Sequence, residues 1–288
     1  MRILQIDKFY FLKGGAERYL FDLSELLQRQ GHTVIPFAMQ HPQNSSTPFN
    51  RFFVSEVKGL SPDENTTLRE KLRITKNIFW SFEAALKLRT LISETKPDLA
   101  HLHNIAHQLS PSIIHILHRF KIPMVQTLHD YKLICPNYMM FNQKGGGRSC
   151  QICFSHPGSL WWPFLHVCAS SCPRQWLLAG ERLFHAVLKS YSLINHFIAP
   201  SEFMRQTCLK AGLPEQKITT LSYLVPLPLT PPCPMEPKGD NTQQKYFLYV
   251  GRLVPEKGLG VLLQAMRKLP NVNLKIVEIG RASCRERV

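Results

Sequence analysis

The sequence lacks several features that would assign it to a common class of protein. No apolar run reaches the roughly 18–20 residues that a membrane-spanning helix requires. The N-terminal stretch Met1–Phe11 lacks the apolar region and the cleavage site of a signal peptide. Neither a G-x-G-x-x-G fingerprint nor a Walker loop is present, which disfavours binding of NAD or ATP. The first two absences predict a cytoplasmic protein.

Acidic residues are scarce compared with basic ones. The chain of 288 residues has 35 Lys and Arg against 20 Asp and Glu, a formal net charge of +15. This excess favours anionic partners, such as nucleic acid, an anionic membrane surface or phosphorylated small molecules. With 44% hydrophobic residues the chain has enough apolar side chains for a folded core. In a cytoplasmic protein the eight cysteines are expected to be thiols or metal ligands rather than disulfides.

The N-terminal half alternates between strand and helix patterns. A strand at Met1–Asp7 precedes a helix that ends at Gly31, and a second strand follows at His32–Met39. This order predicts an α/β fold with a parallel sheet covered by helices. A single basic helix is predicted over Ser61–Glu94.

A change of composition divides the chain. Residues 226–244 are rich in proline and polar residues, which is typical of a linker. The sequence therefore predicts two Rossmann-like domains. Residues 1–225 form the first, with a cysteine-rich insertion at 135–172. The second domain only begins, at residues 245–277.

Two loops at the expected carboxyl ends of strands are candidates for ligand binding. In "KGGAERY", Gly14 and Gly15 would let a ligand approach the start of a helix, or would only form a tight turn. In "VGRLVPEKGLGVLLQA", Arg252 and Lys257 would neutralise a diphosphate leaving group, or would be solvated loop charges.

The second of these stretches resembles the donor-site signature of the retaining nucleotide-sugar glycosyltransferases of family 4, which have the GT-B fold. The stretches "GGAE", "HLHN", "TLHDYKLICPN" and "FIAPSEFM" resemble further family motifs in the same order. The resemblance extends to Val277. It implies a complete N-terminal, acceptor-side Rossmann-like domain and the first strand, helix and strand of the C-terminal, donor-binding domain.

The resemblance also implies roles for individual residues. Arg252 and Lys257 match the pair that contacts the donor diphosphate, and Gly14 and Gly15 match the glycine loop that lines the cleft. His129 matches the catalytic cleft histidine near the donor sugar. Considered without the family, His129 is equally well explained as a structural histidine beside Asp130.

Three further positions are weaker candidates. His103 and Asn104 are implied on the acceptor side, and Ser201 is expected to cap a helix in a region that faces the cleft in relatives.

The implied reaction moves a sugar, as in hexosyltransferases, from a nucleoside diphosphate sugar to an acceptor hydroxyl with retention. Pathways that build polysaccharide, O-antigen or glycolipid use such enzymes, and their acceptors are glycans or lipid-linked molecules. Arg and Lys replace a divalent metal in this fold, so no cofactor is expected for catalysis.

Four cysteines have the spacing of a structural zinc site. Cys150 and Cys153 form one close pair, and Cys168 and Cys172 form another, with Cys135 as a substitute ligand. The alternative is free thiols in a surface loop.

The basic helical stretch Leu68–Leu91 contains Phe79, Trp80 and Phe82, and it could lie on an anionic membrane with Trp161 and Trp162. The alternative is a helix that packs its apolar side on the sheet. A zinc-stabilised basic binding module without catalysis is a competing function, although no nucleic-acid motif is found and no nucleic-acid partner is expected. An NAD-dependent sugar epimerase is disfavoured by the missing glycine fingerprint.

The C-terminal end departs from the family. The resemblance implies a glutamate pair, in an E-x7-E arrangement, that has no counterpart here. We therefore expect this chain to be inactive. Back-translation of Glu278–Val288 resembles a sequencing adapter, so these residues are expected to be a non-native tail on a truncated chain.

Overall fold

The computed structural model describes residues 1–57, 67–142, 148–155, 161–165, 172–224, 246–269 and 272–278. The chain divides into two compact units, Met1–Pro226 and Leu227–Val288, and each is described by itself. The predicted linker at 226–244 lies outside the described residues, as does the predicted tail beyond Glu278.

A parallel sheet of six strands forms the centre of the first unit. The strands of this unit are β1 (Arg2–Ile6), β2 (Thr33–Phe37), β3 (Leu99–Leu102), β4 (Met124–Thr127), β5 (Phe141–Asn142), β6 (Arg148–Ser149), β7 (His196–Ala199) and β8 (Ile218–Thr220). The sheet has the order β2-β1-β3-β4-β7-β8, and β5 and β6 form a separate antiparallel hairpin. The predicted α/β class with a parallel sheet is confirmed.

Helices connect these strands. They are α1 (Gly15–Arg29), α2 (Leu68–Phe79), α3 (Phe82–Thr95), α4 (Ser112–Arg119), α5 (Ile152–Ser155), α6 (Trp162–Leu165), α7 (Cys172–Val187) and α8 (Glu202–Lys210). A crossover helix between neighbouring parallel strands is the normal connection in such sheets.

The single helix predicted over Ser61–Glu94 is wrong, because the described part of this segment contains two helices. The chain breaks between α2 and α3, where Ser81 adopts an extended conformation. The Ser81 hydroxyl accepts a hydrogen bond from the backbone N–H of Ala84 at 3.2 Å, which caps the start of α3. A helical period in the sequence does not reveal such a break, because the apolar spacing continues on both sides of it.

The strands at the centre of the sheet are buried on both faces. Leu4, Ile6 and Leu102 are fully buried on one face. Ile3, Gln5 and His101, on the opposite face, are at most 7% exposed. Leu88 on α3 and Leu117 on α4 belong to the same core. Because the buried polar side chains within the strands, such as Gln5 and His101, are engaged by protein atoms, polar groups that bind a ligand gather at the strand ends.

The aromatic residues of the predicted membrane-binding stretch divide into two groups. The Phe79 ring packs edge-on against Phe184 of α7 at a centroid distance of 5.6 Å, which agrees with the packing alternative. Phe82 is 63% exposed with the Lys76 ammonium 5.1 Å from its ring, and Trp161 is 66% exposed. Within the described part of the chain, no helix is long and apolar enough to cross a bilayer.

The described part of the second unit is one strand, one helix and one strand: β9 (Tyr246–Gly251), α9 (Leu259–Met266) and β10 (Asn273–Glu278). The two strands pair in parallel, and Glu278 pairs with Gly251. None of the residues described in this unit is buried. Apolar side chains such as Phe247, Val250 and Val261 are about half exposed or more.

We expect backbone amides of β9 and α9 to exchange with deuterium much faster than those of β1, β3 and β4. Few buried apolar contacts protect the second unit, so local opening costs little free energy there. Hydrogen–deuterium exchange measured by mass spectrometry on the whole chain would test this, with the sheet of the first unit as internal control. Equal protection in β9 and β3 would contradict the expectation.

Candidate functional site

A cavity of about 300 Å³ opens at the carboxyl ends of β1, β3 and β4. Three residues that the sequence singled out line it: His103 and Asn104 directly after β3, and His129 after β4. Adjacent parallel strands place their carboxyl ends at one edge of the sheet, which is where ligands bind in such folds. The structure therefore brings these three candidates together although His129 is 25 residues beyond Asn104 in the sequence.

A chain of hydrogen bonds runs from β1 through His103 and His129, which line this cavity, to Tyr223. His103 Nε2 lies 2.7 Å from Gln5 Oε1, and His103 Nδ1 lies 2.9 Å from His129 Nε2. His129 Nδ1 lies 2.9 Å from the Tyr223 hydroxyl. The rings of His103, His129 and Tyr223 are also stacked, with interplanar angles of 25° and 20°. We call Gln5, His103, His129 and Tyr223 the histidine chain.

The amide oxygen of Gln5 fixes which atom donates at each step. Because an amide oxygen only accepts, His103 Nε2–H must donate to Gln5 Oε1. A neutral His103 then accepts at Nδ1, so His129 Nε2–H donates to it. His129 in turn accepts at Nδ1 from the hydroxyl of Tyr223. Both histidines are therefore neutral tautomers that carry the proton on Nε2.

Burial keeps the imidazoles of the cavity neutral. It lowers the pKa of His129 from 6.5 to about 3 and holds that of His103 well below the usual range. Neighbouring charge adds to this effect: Lys8 lowers the pKa of His129, and His129 lowers that of His103. His129 is thus suited to accept a hydrogen bond from a hydroxyl and unsuited to act as a cation at neutral pH.

A buried ion pair ties the loop after β4 to α7. Lys132 Nζ lies 2.6 Å from Glu181 Oε2, and His107 Nε2 lies 3.5 Å from the same oxygen. Burial raises the pKa of Glu181, but Lys132 and His107 together outweigh it and lower the pKa to about 2. Glu181 is therefore ionised at any physiological pH, and the pair holds Lys132 against the wall of the cavity.

Some predicted site residues do not line the cavity. Lys13 does, but the described lining includes neither Gly14 nor Gly15. Gly14 has an extended backbone, and a Cβ on Gly15 would meet nothing within 4 Å, so neither position needs glycine for the turn itself. Ser201 caps α8 as predicted, accepting from the N–H of Met204 at 3.2 Å, and it is also outside this lining.

Arg252 and Lys257 lie in the second unit, between β9 and α9. Both side chains are exposed, and Arg252 makes only a long contact of 3.9 Å with Glu256. Lys257 ends a turn of 3-10 helix, and Gly258 follows with φ of 73°, a left-handed conformation that glycine adopts without strain. Two cations with exposed side chains thus follow a parallel strand at its carboxyl end.

The family models match almost the whole chain. Residues 13–226 match the model described as Glycosyltransferase Family 4, and residues 235–287 match the model described as Glycosyl transferases group 1. The first match alone covers well over half of the sequence. The chain belongs to glycosyltransferase family 4.

One solved structure has a similar fold with a TM-score above 0.5, and it supports the GT-B architecture of this family 4 chain. Anabaena Alr3699/HepE, solved with UDP and glucose, is 16% identical with a TM-score of 0.51. A glycosyltransferase from Rickettsia africae is 15% identical with a TM-score of 0.48. The alignments cover 97% and 98% of this chain but 62% and 61% of those chains, so the chain spans less than two thirds of their length. No curated protein matches.

The cysteines of the family 4 chain are only partly described. Cys150 and Cys153 are half-buried thiols, and burial raises the pKa of Cys153 to about 11, with a further contribution from Cys135. Cys168 lies outside the described residues, and Cys172 begins α7. Among the residues that are described, no three His, Cys, Asp or Glu side chains are grouped as metal ligands. The four-cysteine zinc site stays a prediction.

Several residues of the histidine chain and of the buried ion pair were missed by the sequence analysis. Lys132 lies inside the quoted stretch "TLHDYKLICPN" and could have been found from its spacing to His129. Glu181 and Tyr223 are 49 and 94 residues away from their partners. Only the tertiary fold brings these two residues close to their partners, and no local sequence pattern indicates them.

We expect His129 to stay neutral and protonated on Nε2 between pH 8 and pH 5. Burial disfavours its charged form, and the histidine chain specifies the tautomer. Multiple-bond ¹⁵N–¹H NMR of labelled protein reports both properties. Tyr223→Phe should shift the Nδ1 signal of His129 and leave His101 unchanged. A titration of His129 near pH 6.5, or a proton on Nδ1, would show that the histidine chain is wrongly assigned.

We expect nearly one zinc ion per chain in protein that is kept reduced. Thiolates bind zinc strongly, and the Cys150 and Cys153 pair has the spacing of a zinc knuckle. Elemental analysis should show the zinc lost in the double variant Cys150→Ser, Cys153→Ser. The variant Cys208→Ser, which changes a buried thiol of α8, should keep it. Zinc-free reduced protein would exclude the site.

Proposed function

We propose that this family 4 chain is a retaining glycosyltransferase that uses a nucleoside diphosphate sugar. It would move a hexose to an acceptor hydroxyl in the assembly of a polysaccharide, O-antigen or glycolipid. The observation that carries the proposal is the histidine chain at the carboxyl edge of the sheet, in a chain that matches both glycosyltransferase models. Neutral imidazoles at a sheet edge suit recognition of uncharged sugar hydroxyls.

Arg252 and Lys257 are proposed to hold the donor diphosphate. Negative charge accumulates on the diphosphate as the glycosidic bond to the sugar breaks, and fixed cations stabilise this charge in the transition state. The two side chains are exposed and free of close ion pairs among the described residues. As proposed, these cations supply the charge that a divalent metal provides in other enzymes.

His129 is proposed to contact the donor sugar. Both of its ring nitrogens are engaged, Nε2 by His103 and Nδ1 by Tyr223. A sugar hydroxyl can therefore reach the imidazole only by taking the place of the Tyr223 hydroxyl at Nδ1, where it would donate. The exchange replaces one O–H···N bond by another, so it costs little hydrogen-bond energy.

His103 is proposed to position His129, since it is 2% exposed and both of its nitrogens are occupied by protein atoms. Asn104 is only half-buried and lines the cavity, so it remains the better candidate for contact with the acceptor. Gly14, Gly15 and Ser201 keep their proposed places near the donor on the family resemblance alone.

The remaining parts of the proposal concern activity and location. The chain itself is proposed to be inactive, because the sequence lacks the glutamate pair that the resemblance implies. A cytoplasmic location with peripheral contact to an anionic membrane is proposed from the net charge of +15 and the exposed Phe82 and Trp161.

We expect the chain to bind UDP or GDP without turning over any nucleotide sugar. Arg252→Gln and Lys257→Gln should each weaken binding about tenfold, the usual loss for one charge-assisted hydrogen bond to phosphate. Isothermal titration calorimetry measures this, with Lys268→Gln as control, because Lys268 is an exposed lysine of the same unit. Affinity that is equal in all variants would exclude the proposed diphosphate site, and measurable turnover would exclude the proposed inactivity.

A further inference from the structure

The cavity at the carboxyl edge of the sheet is lined by basic side chains that the proposed donor site, Arg252 and Lys257, does not include. Its basic lining residues are Lys8, Lys13, Lys132 and Arg174. They come from separate parts of the chain, namely the loop after β1, the loop after β4 and α7. All of them belong to the first unit, whereas Arg252 and Lys257 belong to the second.

Only part of this charge is compensated by neighbouring carboxylates. Glu181 pairs with Lys132 at 2.6 Å. Asp130 is the one carboxylate in the described lining, and its Oδ1 accepts from the backbone N–H of Lys132. No carboxylate of the described residues lies within 4.0 Å of the charged groups of Lys8 or Arg174.

The other titratable groups of the cavity do not supply the missing negative charge. Asp7, at the end of β1, is fully buried, and burial raises its pKa to about 8, so it is mostly protonated at neutral pH. The histidines remain neutral, because burial lowers the pKa of His103, His107 and His129. The cavity therefore carries a net positive charge when it holds no ligand.

Arg174 also has a buried donor without a partner. Its Nε is shielded from solvent and makes no hydrogen bond within the described part of the chain. Buried polar groups are hydrogen-bonded in the great majority of native structures, and an exception calls for an explanation. An anionic ligand in the cavity would accept a hydrogen bond from this N–H and would also neutralise the charge of the guanidinium. A neutral sugar would accept the hydrogen bond but leave the charge uncompensated.

We propose that the cavity binds a phosphate group of the acceptor, held by Arg174 and Lys8. This rests on the proposed function, which assigns the donor diphosphate to Arg252 and Lys257 and gives Lys8 and Arg174 no ligand. The acceptor would then be a phosphate or diphosphate ester, either a soluble sugar phosphate or a lipid-linked one. Guanidinium and ammonium groups are the side chains that recognise such esters.

The proposal predicts how the acceptor is oriented. Its phosphate lies in the same cavity as Asn104 and His129, so the phosphate anchors the ester and leaves a sugar hydroxyl to face the polar side chains. Binding energy from a group that does not react would position the group that does.

Calorimetric titration of the whole chain with inorganic pyrophosphate, a hexose 1-phosphate, geranyl phosphate and UDP tests the proposal. We expect pyrophosphate and one of the esters to bind, and Arg174→Gln and Lys8→Gln each to weaken that binding about tenfold. Lys210→Gln, a change of an exposed lysine on α8, should leave it unchanged. Tighter binding of hexose 1-phosphate assigns a soluble acceptor, and tighter binding of geranyl phosphate assigns a lipid-linked one.

The outcomes separate this proposal from that of the donor site. Pyrophosphate binding that is unchanged in both Arg174→Gln and Lys8→Gln overturns the acceptor phosphate site, as does a failure of pyrophosphate and both esters to bind. An equal loss of UDP binding in Arg174→Gln also overturns it, because the cavity would then hold the donor diphosphate. If UDP binding is instead unchanged in both Arg252→Gln and Lys257→Gln, the donor site assigned by the proposed function is wrong. Circular dichroism shows whether each variant is folded. If Arg174→Gln does not fold, the binding measured with Lys8→Gln decides the test.

Discussion

Burial of the central strands on both faces is the constraint on which the rest of the first unit depends. Polar side chains within β1, β3 and β4, such as Gln5, His101 and Thr127, are buried and hydrogen-bond to protein atoms, so groups that can bind a ligand collect at the edge of the sheet. His103 lies directly after β3 and His129 two residues after β4, both at this edge. The cavity is thus a direct result of the parallel topology, in which all carboxyl ends lie on one side.

A low-dielectric edge of this kind also determines which groups are charged. Burial lowers the pKa of His129 and keeps its imidazole neutral, whereas Glu181 stays ionised because Lys132 and His107 lie beside its carboxylate. Lys8 and Arg174 have no such carboxylate among the described residues, and this makes them the groups on which a ligand can act most strongly. Neutral hydrogen-bonding groups and uncompensated cations in one cavity suit a ligand that is part sugar and part anion.

Much of this arrangement could be predicted from the sequence, for identifiable physical reasons. The strand and helix periods predicted the parallel sheet, and the family motifs marked His103, Asn104 and His129, since these follow directly from local spacing. The break at Ser81 was missed, because a side-chain cap interrupts a helix without interrupting its apolar period. Glu181 and Tyr223 were missed because their partners are far away along the chain, and only the crossovers of the fold bring them near.

The histidine chain has a direction. Tyr223, His129 and His103 each donate toward the sheet, and the Gln5 amide oxygen accepts the last of these bonds, so its position specifies every proton out to the hydroxyl of Tyr223. Rotation of that one amide by half a turn would present an N–H to His103 and would reverse both tautomers. His129 would then donate from Nδ1, and Tyr223 would be free to turn its hydroxyl hydrogen outward. A buried side chain of β1 therefore decides whether the hydroxyl of Tyr223 offers a ligand a lone pair or a proton, without any movement of the backbone.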